Sequence, residues 1–426
     1  MAGSGARGIE RPGERLPRTG FRLRRRAAGL VGGAALLFLV GTNVQSGWVF
    51  VLSSLLLGVL GAGVVLPVRM SRGVEVARRA PDEAFAGDEI RVDLVIANRG
   101  RRPAVSLSVR DRFVAPARVF VPWLRPGASA TAATIRAAAR RGVVDGGPVE
   151  VASSAPFGLA EVRRAVRAPG RIVIYPGLVP VGDLSLLGAS WAEGESARSV
   201  SRGAGREFHG VREYQRGDSL RHVHWPSTAR HGSLIVREFE PDRPARLAVV
   251  VDTWADGGWG EGDSETVLDA CCSVGASVAV EALRRDHGVT LSAGRNGSVA
   301  TLPDPDRAAT LTWFAELVAP GGVALSEVLR RVPPGSATIL VVLPAWRSNA
   351  LGELAPEIER LAGSGRAVAA VVVDPGQSGP SAPGPGRAEV DGLVAGLDTA
   401  GAAVRLVRPG DDLGAAMGGR PAGVTR

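Results

Sequence analysis

ARLAVVVD, residues 245–252, is a continuous apolar run that ends in an aspartate. A run without polar alternation is typical of a strand that is buried on both faces of a parallel sheet. Stretches with helical spacing, the first near residues 264–285, separate it from further apolar runs at 288–293, 337–343, 367–373 and 403–407. Because strands and helices alternate, residues 245–426 are predicted to form a doubly wound α/β domain with a parallel sheet.

Residues 72–170 contain short apolar runs with alternating apolar and polar residues, which predict β-structure. Apolar and polar residues alternate at 90–96 and again at 105–109, and NRGRRP lies between the two runs. This pattern predicts a hairpin with one buried face. Further short runs follow at 118–124, 129–137, 148–152 and 160–166. The spacing predicts a small β-sandwich, which we interpret as a spacer, with a binding module as the alternative.

Residues 27–68 contain no charged side chain. A single helix over this stretch would be about 63 Å long, roughly twice the thickness of the hydrocarbon core. The polar stretch GTNVQSG at 41–47 therefore predicts a turn between two membrane spans, at about 27–43 and 48–67. The sequence predicts that residues 27–68 anchor the chain in the lipid bilayer as a two-span hairpin.

Charge predicts the orientation of this hairpin. Residues 1–26 form a basic tail with eight arginines and two glutamates, and Arg69 and Arg72 follow the second span. By the positive-inside rule, both flanks and the whole soluble part are expected to be cytoplasmic, in a multi-pass membrane protein. A cleaved signal peptide is the less favoured alternative, because a second apolar span follows at once.

Composition excludes several functional classes. The chain has no lysine, so it has no P-loop, and we find neither a G-x-G-x-x-G between strand and helix nor a G-x-S-x-G elbow. The net charge of +9 is only a weak indication of nucleic-acid binding, because arginines and carboxylates alternate along the chain. We predict no nucleic-acid partner. The adjacent Cys271 and Cys272 argue against a fold built on disulfides.

Two groups of residues are candidates for metal or acid–base chemistry. Asp252 and Asp256 open an acidic loop after the first predicted strand and are weak candidates for Mg²⁺, but we favour a solvated loop that caps the next helix. His222 and His224 form an H-x-H pair for which we favour hydrogen-bonding roles over zinc binding, because no third ligand stands at a typical spacing. We therefore predict no cofactor, with Mg²⁺ as the alternative.

The predicted connecting segment, residues 171–244, contains the polar stretch GVREYQRGDSLRHVHWPSTAR at 210–230. Its arginines can pair with nearby carboxylates, and its aromatic rings can pack under guanidinium planes. We interpret it either as a semi-buried ion-pair network that braces the α/β domain or as an exposed surface that docks a partner. The candidate residues are Arg212, Glu213, Tyr214, Gly217, Asp218, Arg221, Trp225 and Arg230.

The same stretch carries a family resemblance. The pattern G-x-R-E-Y-x-x-G-D-x-x-R-x-V-x-W-x-x-x-A-R resembles the signature of the bacterial family catalogued as domain of unknown function 58. APFGL at 155–159 resembles the D-P-F-G-L turn of that family, with Ala155 in place of the aspartate. The resemblance implies a C-terminal domain similar to the von Willebrand factor A fold and an association with a MoxR-type AAA+ ATPase.

The resemblance also bears on the metal candidates. The von Willebrand A metal site uses D-x-S-x-S after the first strand, and here Trp254 and Asp256 stand at the two serine positions. We therefore expect a non-enzymatic, membrane-anchored cytoplasmic scaffold or adaptor that docks a partner, expected to be a MoxR-type AAA+ ATPase. The alternative is a divalent-metal-dependent ligand-binding protein or enzyme that uses Asp252 and neighbouring carboxylates.

Overall fold

The computed structural model describes residues 20–181, 187, 208–213, 223–239, 246–253, 261–374, 386–408 and 411. The chain divides into two compact units, Met1–Gly177 and Leu178–Arg426.

Two apolar helices near the N-terminus form an antiparallel pair. They are α1, Arg25–Val44, and α2, Gly47–Ser71. The Ser53 hydroxyl donates a hydrogen bond of 2.8 Å to the carbonyl of Ala34, and the rings of Phe38 and Phe50 meet edge to face at 5.5 Å. Both helices are long and apolar enough to cross a membrane, as the sequence predicted.

The rest of the first unit is β-structure. Its strands are β1 (Gly20–Leu23), β2 (Val74–Arg79), β3 (Glu83–Phe85), β4 (Glu89–Asn98), β5 (Ala104–Asp111), β6 (Ala117–Leu124), β7 (Ser129–Ala137), β8 (Gly142–Asp145), β9 (Val149–Ser153), β10 (Ala160–Val166) and β11 (Arg171–Tyr175). They form a five-stranded sheet in the order β1-β10-β9-β5-β6 and two three-stranded sheets in the orders β2-β4-β7 and β3-β11-β8. The five-stranded sheet and the β2-β4-β7 sheet share one apolar core, as in a sandwich.

The predicted hairpin between residues 90–96 and 105–109 is wrong, because β4 and β5 lie in different sheets. β4 pairs with β2 and β7, whereas β5 pairs with β6 and β9. The reason is the buried Asn98, whose side-chain amide donates to the carbonyls of Arg102 (2.8 Å) and Leu124 (3.0 Å). These bonds turn the chain from one sheet into the other.

Two short strands extend the first unit beyond the predicted sandwich. β1 lies within the predicted basic tail, where it pairs antiparallel with β10 just before α1 begins. β11 lies at the start of the predicted connecting segment but pairs with β3 and β8. The first unit therefore runs to Gly177.

The second unit alternates strands and helices. Its elements are β12 (Phe208–Glu213), α3 (Trp225–His231), β13 (Ile235–Phe239), β14 (Arg246–Val251), α4 (Glu261–Arg284), β15 (Gly288–Arg295), β16 (Ser298–Pro303), α5 (Arg307–Ala315), α6 (Leu325–Arg330), β17 (Thr338–Pro344), a 3₁₀ turn (Ala345–Ala350), α7 (Leu351–Gly363), β18 (Ala367–Val373), α8 (Arg387–Thr399) and β19 (Ala403–Val407). β12 and β13 form a separate antiparallel pair.

The other six strands form one sheet in the order β16-β15-β14-β17-β18-β19. All neighbours are parallel except β15 and β16, which form an antiparallel hairpin at one edge. Side chains of β14 enter two separate cores, one with α4 and α5 and the other with α6, α7 and α8. The predicted parallel-sheet α/β fold is confirmed, with helices on both faces.

α4 has the composition of a membrane span but belongs to the core of the second unit. The segment Glu265–Arg284 of α4 is also long and apolar enough to cross a membrane, but 61% of its apolar window is buried inside the protein. It is therefore a core helix that packs on the sheet. The Gly/Pro-rich stretch GQSGPSAPGPGR at 376–387 predicts a flexible insertion, and most of it lies outside the described residues.

Candidate functional site

The second unit has one position where this type of sheet usually binds ligands. β15, the next strand in sequence after β14, lies on one side of β14 in the sheet. β17 lies on the other side of β14, so the strand order reverses between β14 and β17. Ligands of doubly wound folds bind beyond the carboxyl ends of the strands at such a switch point. Asp252 and Thr253 follow β14 here, and the 3₁₀ turn follows β17.

The carboxylate at the switch point is engaged within the protein. Oδ2 of Asp252 lies 2.9 Å from Nε of Arg347, and the two side chains are only 1% and 5% exposed. The N–H is too poorly aligned with that oxygen to count as a hydrogen bond, so this contact is an ion pair. The positive charge of Arg347 compensates the buried negative charge of Asp252.

Thr253, the residue after Asp252, is bonded to two neighbouring segments of the chain. The Thr253 hydroxyl donates to the carbonyl of Gly294 at 2.7 Å, and the N–H of Gly321 donates to the carbonyl of Thr253 at 2.8 Å. A Cβ on Gly321 would lie 2.1 Å from Oγ1 of Thr253, so only glycine fits there. The Glu265 carboxylate accepts a hydrogen bond of 3.0 Å from the N–H of Ala319.

The predicted metal pair, Asp252 and Asp256, is described only in part. Asp252 is paired with Arg347, and Asp256 lies outside the described residues. Within the described part of the chain, no three His, Cys, Asp or Glu side chains are grouped so that they could hold a metal ion. His222 lies outside the described residues, and Nδ1 of His224 is 2.8 Å from the Ser227 hydroxyl.

The signature residues are described only in part. The backbone of Arg212 and Glu213 lies in β12, whereas Tyr214, Gly217, Asp218 and Arg221 lie outside the described residues. α3 begins at Trp225, and Gly232 ends it in the left-handed conformation, with its N–H bonded to the carbonyl of Thr228. The Thr228 hydroxyl accepts a hydrogen bond of 3.0 Å from the N–H of Ile235, which ties α3 to β13.

The exposed side of α3 carries two of the predicted site residues. Trp225 is 66% exposed. Ala229, one turn further on, and Arg230 are also exposed. Val223 and Ile235 are buried at its base, so the exposed side stands on an apolar support.

Sequence reasoning missed a second buried charge cluster, which lies in the first unit. Asp111 accepts hydrogen bonds from Arg78 at 2.6 and 3.1 Å and from Arg136 at 2.8 Å, and all three side chains are 1% exposed. The Arg78 guanidinium also lies 4.5 Å from the centre of the Phe113 ring, and Arg136 donates to the carbonyl of Phe113. No sequence motif marks this cluster.

The electrostatics of the cluster follow from burial and charge. Burial by itself raises the pKa of the Asp111 carboxyl, but the hydrogen bonds and positive charges of Arg78 and Arg136 outweigh it and hold the pKa below its ordinary value. Asp111 is therefore ionised at neutral pH. With two arginines on one carboxylate, the cluster is a structural brace of the sandwich.

Comparison with known proteins supports the family resemblance. Residues 210–376, less than half of the chain, match the model of the family described as protein of unknown function DUF58. This match supports an assignment to that family. No curated protein is significantly similar to the chain.

Solved structures give only weak likenesses. The CARDB domain of the PF1109 protein from Pyrococcus furiosus is 12% identical, with a TM-score of 0.18, and the match covers 24% of this chain and 91% of that one. A GH20 exo-β-N-acetylglucosaminidase from Vibrio harveyi is 8% identical, with a TM-score of 0.18, and the match covers 71% of this chain and 58% of that one. At these TM-scores the likenesses carry no argument about fold or function.

Proposed function

We propose that the chain is a non-enzymatic scaffold, anchored in the bacterial inner membrane by α1 and α2, that docks a protein partner through α3. In this proposal the two helices cross the bilayer as a hairpin, and both units lie in the cytoplasm. The excess of arginine on both flanks of the helices supports that orientation. The single observation that carries the docking role is the 66% exposure of Trp225 within the family signature.

An exposed tryptophan on a supported helix fits a protein-binding site. Tryptophan and arginine are the residues most enriched among those that dominate binding energy at protein interfaces. Trp225 and Ala229 are one turn apart on α3 and both exposed, so they give a partner a ring beside a small residue. Arg230 adds a charged fork at the edge of this surface, which suits a partner that presents a carboxylate.

The environment of Asp252 supports a scaffold over a metal-dependent enzyme. A cation at the switch point needs carboxylates that are free to bind it. Asp252 instead faces Arg347 at 2.9 Å, next to Thr253, whose hydroxyl donates to the carbonyl of Gly294. The metal-dependent alternative would therefore require the ion pair to break first.

The family resemblance suggests the partner and the class of the second unit. Because members of the family are typically associated with a MoxR-type AAA+ ATPase, we propose such an ATPase as the docking partner. The parallel sheet with helices on both faces supports a von Willebrand A-like second unit. In this proposal the domain lacks the D-x-S-x-S metal site, since Trp254 and Asp256 stand at the two serine positions.

Co-purification tests this proposal. The tagged protein is solubilised in mild detergent from its native membrane, and the proteins recovered with it are identified for the wild type, Trp225→Ala and Phe120→Ala. Phe120 is the matched control, because it is an aromatic residue exposed to a similar extent (64%) but belongs to the first unit. We expect an AAA+ ATPase with the wild type and Phe120→Ala, and its loss in a folded Trp225→Ala. Equal recovery with all three proteins would exclude α3 as the docking surface.

A further inference from the structure

The sandwich of the first unit has two ends that differ in charge, and the helices α1 and α2 join only one of them. Leu23, the last residue of β1, pairs with Ala160, and Val74, the first residue of β2, pairs with Asn98. The start of α1 and the end of α2 are therefore both at the end of the sandwich where β4 ends and β10 begins.

The strand registers place three connecting loops at this same end. β5 begins opposite the end of β6, at the pair Ala104 and Leu124, and β7 begins opposite the end of β4. The loops between these strands, together with the turn from β9 to β10, form what we call the helix-side end. It consists of residues 99–103, 125–128 and 154–159.

The helices also touch this end directly. The N–H of Arg24 donates to the carbonyl of Leu159 at 2.9 Å. A Cβ on Gly63 of α2 would lie 2.9 Å from Cδ1 of Leu159, so the glycine permits close approach of the helix to the turn. The helix-side end is thus held against the hairpin that is proposed to enter the bilayer.

The helix-side end is basic, whereas the opposite end carries both signs. The three helix-side loops contain four arginines, at 99, 101, 102 and 125, and no carboxylate. All four are exposed. The opposite end carries Asp82 and Asp88 as well as Arg112 and Arg167. Only one helix-side arginine has a carboxylate nearby in the described part of the chain: Arg99, 3.6 Å from the exposed Glu75.

Exposed apolar side chains lie at the same end. Leu23 is 52% exposed, Trp123 is 55% exposed and Phe157 is 48% exposed, and each stands beside one of the helix-side loops or within it. Apolar and aromatic side chains of this kind favour the boundary between headgroups and acyl chains, and arginines favour the anionic headgroups above it. Exposed apolar side chains rimmed by polar residues mark interaction sites, including sites that bind membranes.

From these observations we infer that the helix-side end of the sandwich binds anionic phospholipid headgroups of the leaflet in which the hairpin begins and ends. The arginines contact phosphates, and Leu23, Trp123 and Phe157 enter the interface. The first unit would then lie directly on the membrane, so the sandwich is more than a spacer that holds the second unit away. This inference rests on the proposed membrane anchor.

Amide hydrogen exchange of the full-length protein in lipid nanodiscs tests the inference. The protein is inserted into discs of pure phosphatidylcholine and into discs that also contain phosphatidylglycerol, and exchange is followed in residues 98–103 and 124–128. We expect slower exchange only in the anionic discs, by about fivefold for each arginine engaged. The difference should disappear at high salt, because screening shortens the reach of the charges.

Two triple variants make the test specific. Arg99→Gln/Arg101→Gln/Arg102→Gln removes three charges from the helix-side end and should abolish the protection. Arg79→Gln/Arg167→Gln/Arg171→Gln removes three exposed charges from the opposite end and should leave it unchanged.

Equal exchange in both lipids, with the protein inserted in both, would overturn the inference and leave the anchor intact. Failure of the wild-type chain to enter either kind of disc would instead overturn the anchor, and this surface with it.

Discussion

Asp111 in the first unit and Asp252 in the second are both buried carboxylates that face arginine, but the contacts around them differ. Asp111 accepts aligned hydrogen bonds from Arg78 and Arg136 and also one from the N–H of Phe113. Asp252 faces Arg347 in an ion pair whose N–H is poorly aligned. The first arrangement fastens strands of a sandwich together. The second lies where an α/β sheet usually binds its ligand, so there the pairing engages a carboxylate at the usual ligand position.

Removing the Asp111 carboxylate should give the largest effect. In Asp111→Ala, two buried guanidinium groups lose their counter-charge, and we expect a loss of about 5 kcal/mol in the free energy of unfolding. Chemical denaturation of the full-length protein in detergent measures it. Asp145→Ala is the control, because that carboxylate is 56% exposed and lies 4.0 Å from Arg171, and it should cost less than about 1 kcal/mol. Equal losses in the two variants would refute the brace.

The pair at the switch point should have a smaller effect. We expect Arg347→Ala to cost about 3 kcal/mol, because one buried carboxylate loses its partner. A double-mutant cycle with Asp252→Ala should give a coupling energy of about 1–3 kcal/mol, since the second substitution removes the charge that the first leaves behind. Additive losses would mean that Asp252 and Arg347 do not depend on each other.

Acid should weaken the first brace in part. The pKa of Asp111 is lower in the native state than in the unfolded chain, where it has the ordinary aspartate value of about 3.9. The ionised carboxylate therefore contributes its full stabilisation above that value. This stabilisation is lost as the pH falls through the lowered native pKa. Denaturation midpoints measured between pH 7 and pH 2.5 should therefore fall less steeply in Asp111→Asn than in the wild type. Parallel pH profiles would show that Asp111 is not responsible.

Mg²⁺ should have the smallest effect. With Asp252 paired to Arg347, we expect added Mg²⁺ to change the free energy of unfolding by less than about 0.4 kcal/mol, the gain expected when the ligand concentration equals the dissociation constant. Ca²⁺ serves as the comparison for nonspecific salt effects. A saturable stabilisation by Mg²⁺ that disappears in Asp252→Ala would restore the metal-dependent alternative.

The two buried sites also show where sequence reasoning stops. The strand 367–373 was predicted with its observed bounds, because an apolar run between helical stretches has few other structures open to it. The sequence also predicts that Asp252 directly follows the first strand. It does not predict that Arg347 is the partner of Asp252, because the chain has 51 basic and 42 acidic residues and their pairing depends on tertiary structure.

The strand partners in the sandwich were hidden for a similar reason. The alternation at 90–96 and 105–109 identifies two strands, but it does not reveal that Asn98 turns the chain into another sheet. The sequence does not predict β1, because a strand of four residues beside a run of arginines is too short to show the alternation of apolar and polar residues. In the signature, the exposure of Trp225 depends on which side of α3 packs on β13, and the spacing of the motif does not show this.

The most direct test of the central claim is site-specific photocrosslinking in living cells. A photoreactive phenylalanine analogue replaces Trp225 in the full-length protein, and the same analogue replaces the exposed Phe120 of the first unit as the control. The account predicts a crosslink from position 225 to a MoxR-type AAA+ ATPase and no such crosslink from position 120. If position 225 gives no crosslink to another protein, or both positions capture the same proteins, α3 is not a docking surface and the scaffold proposal fails.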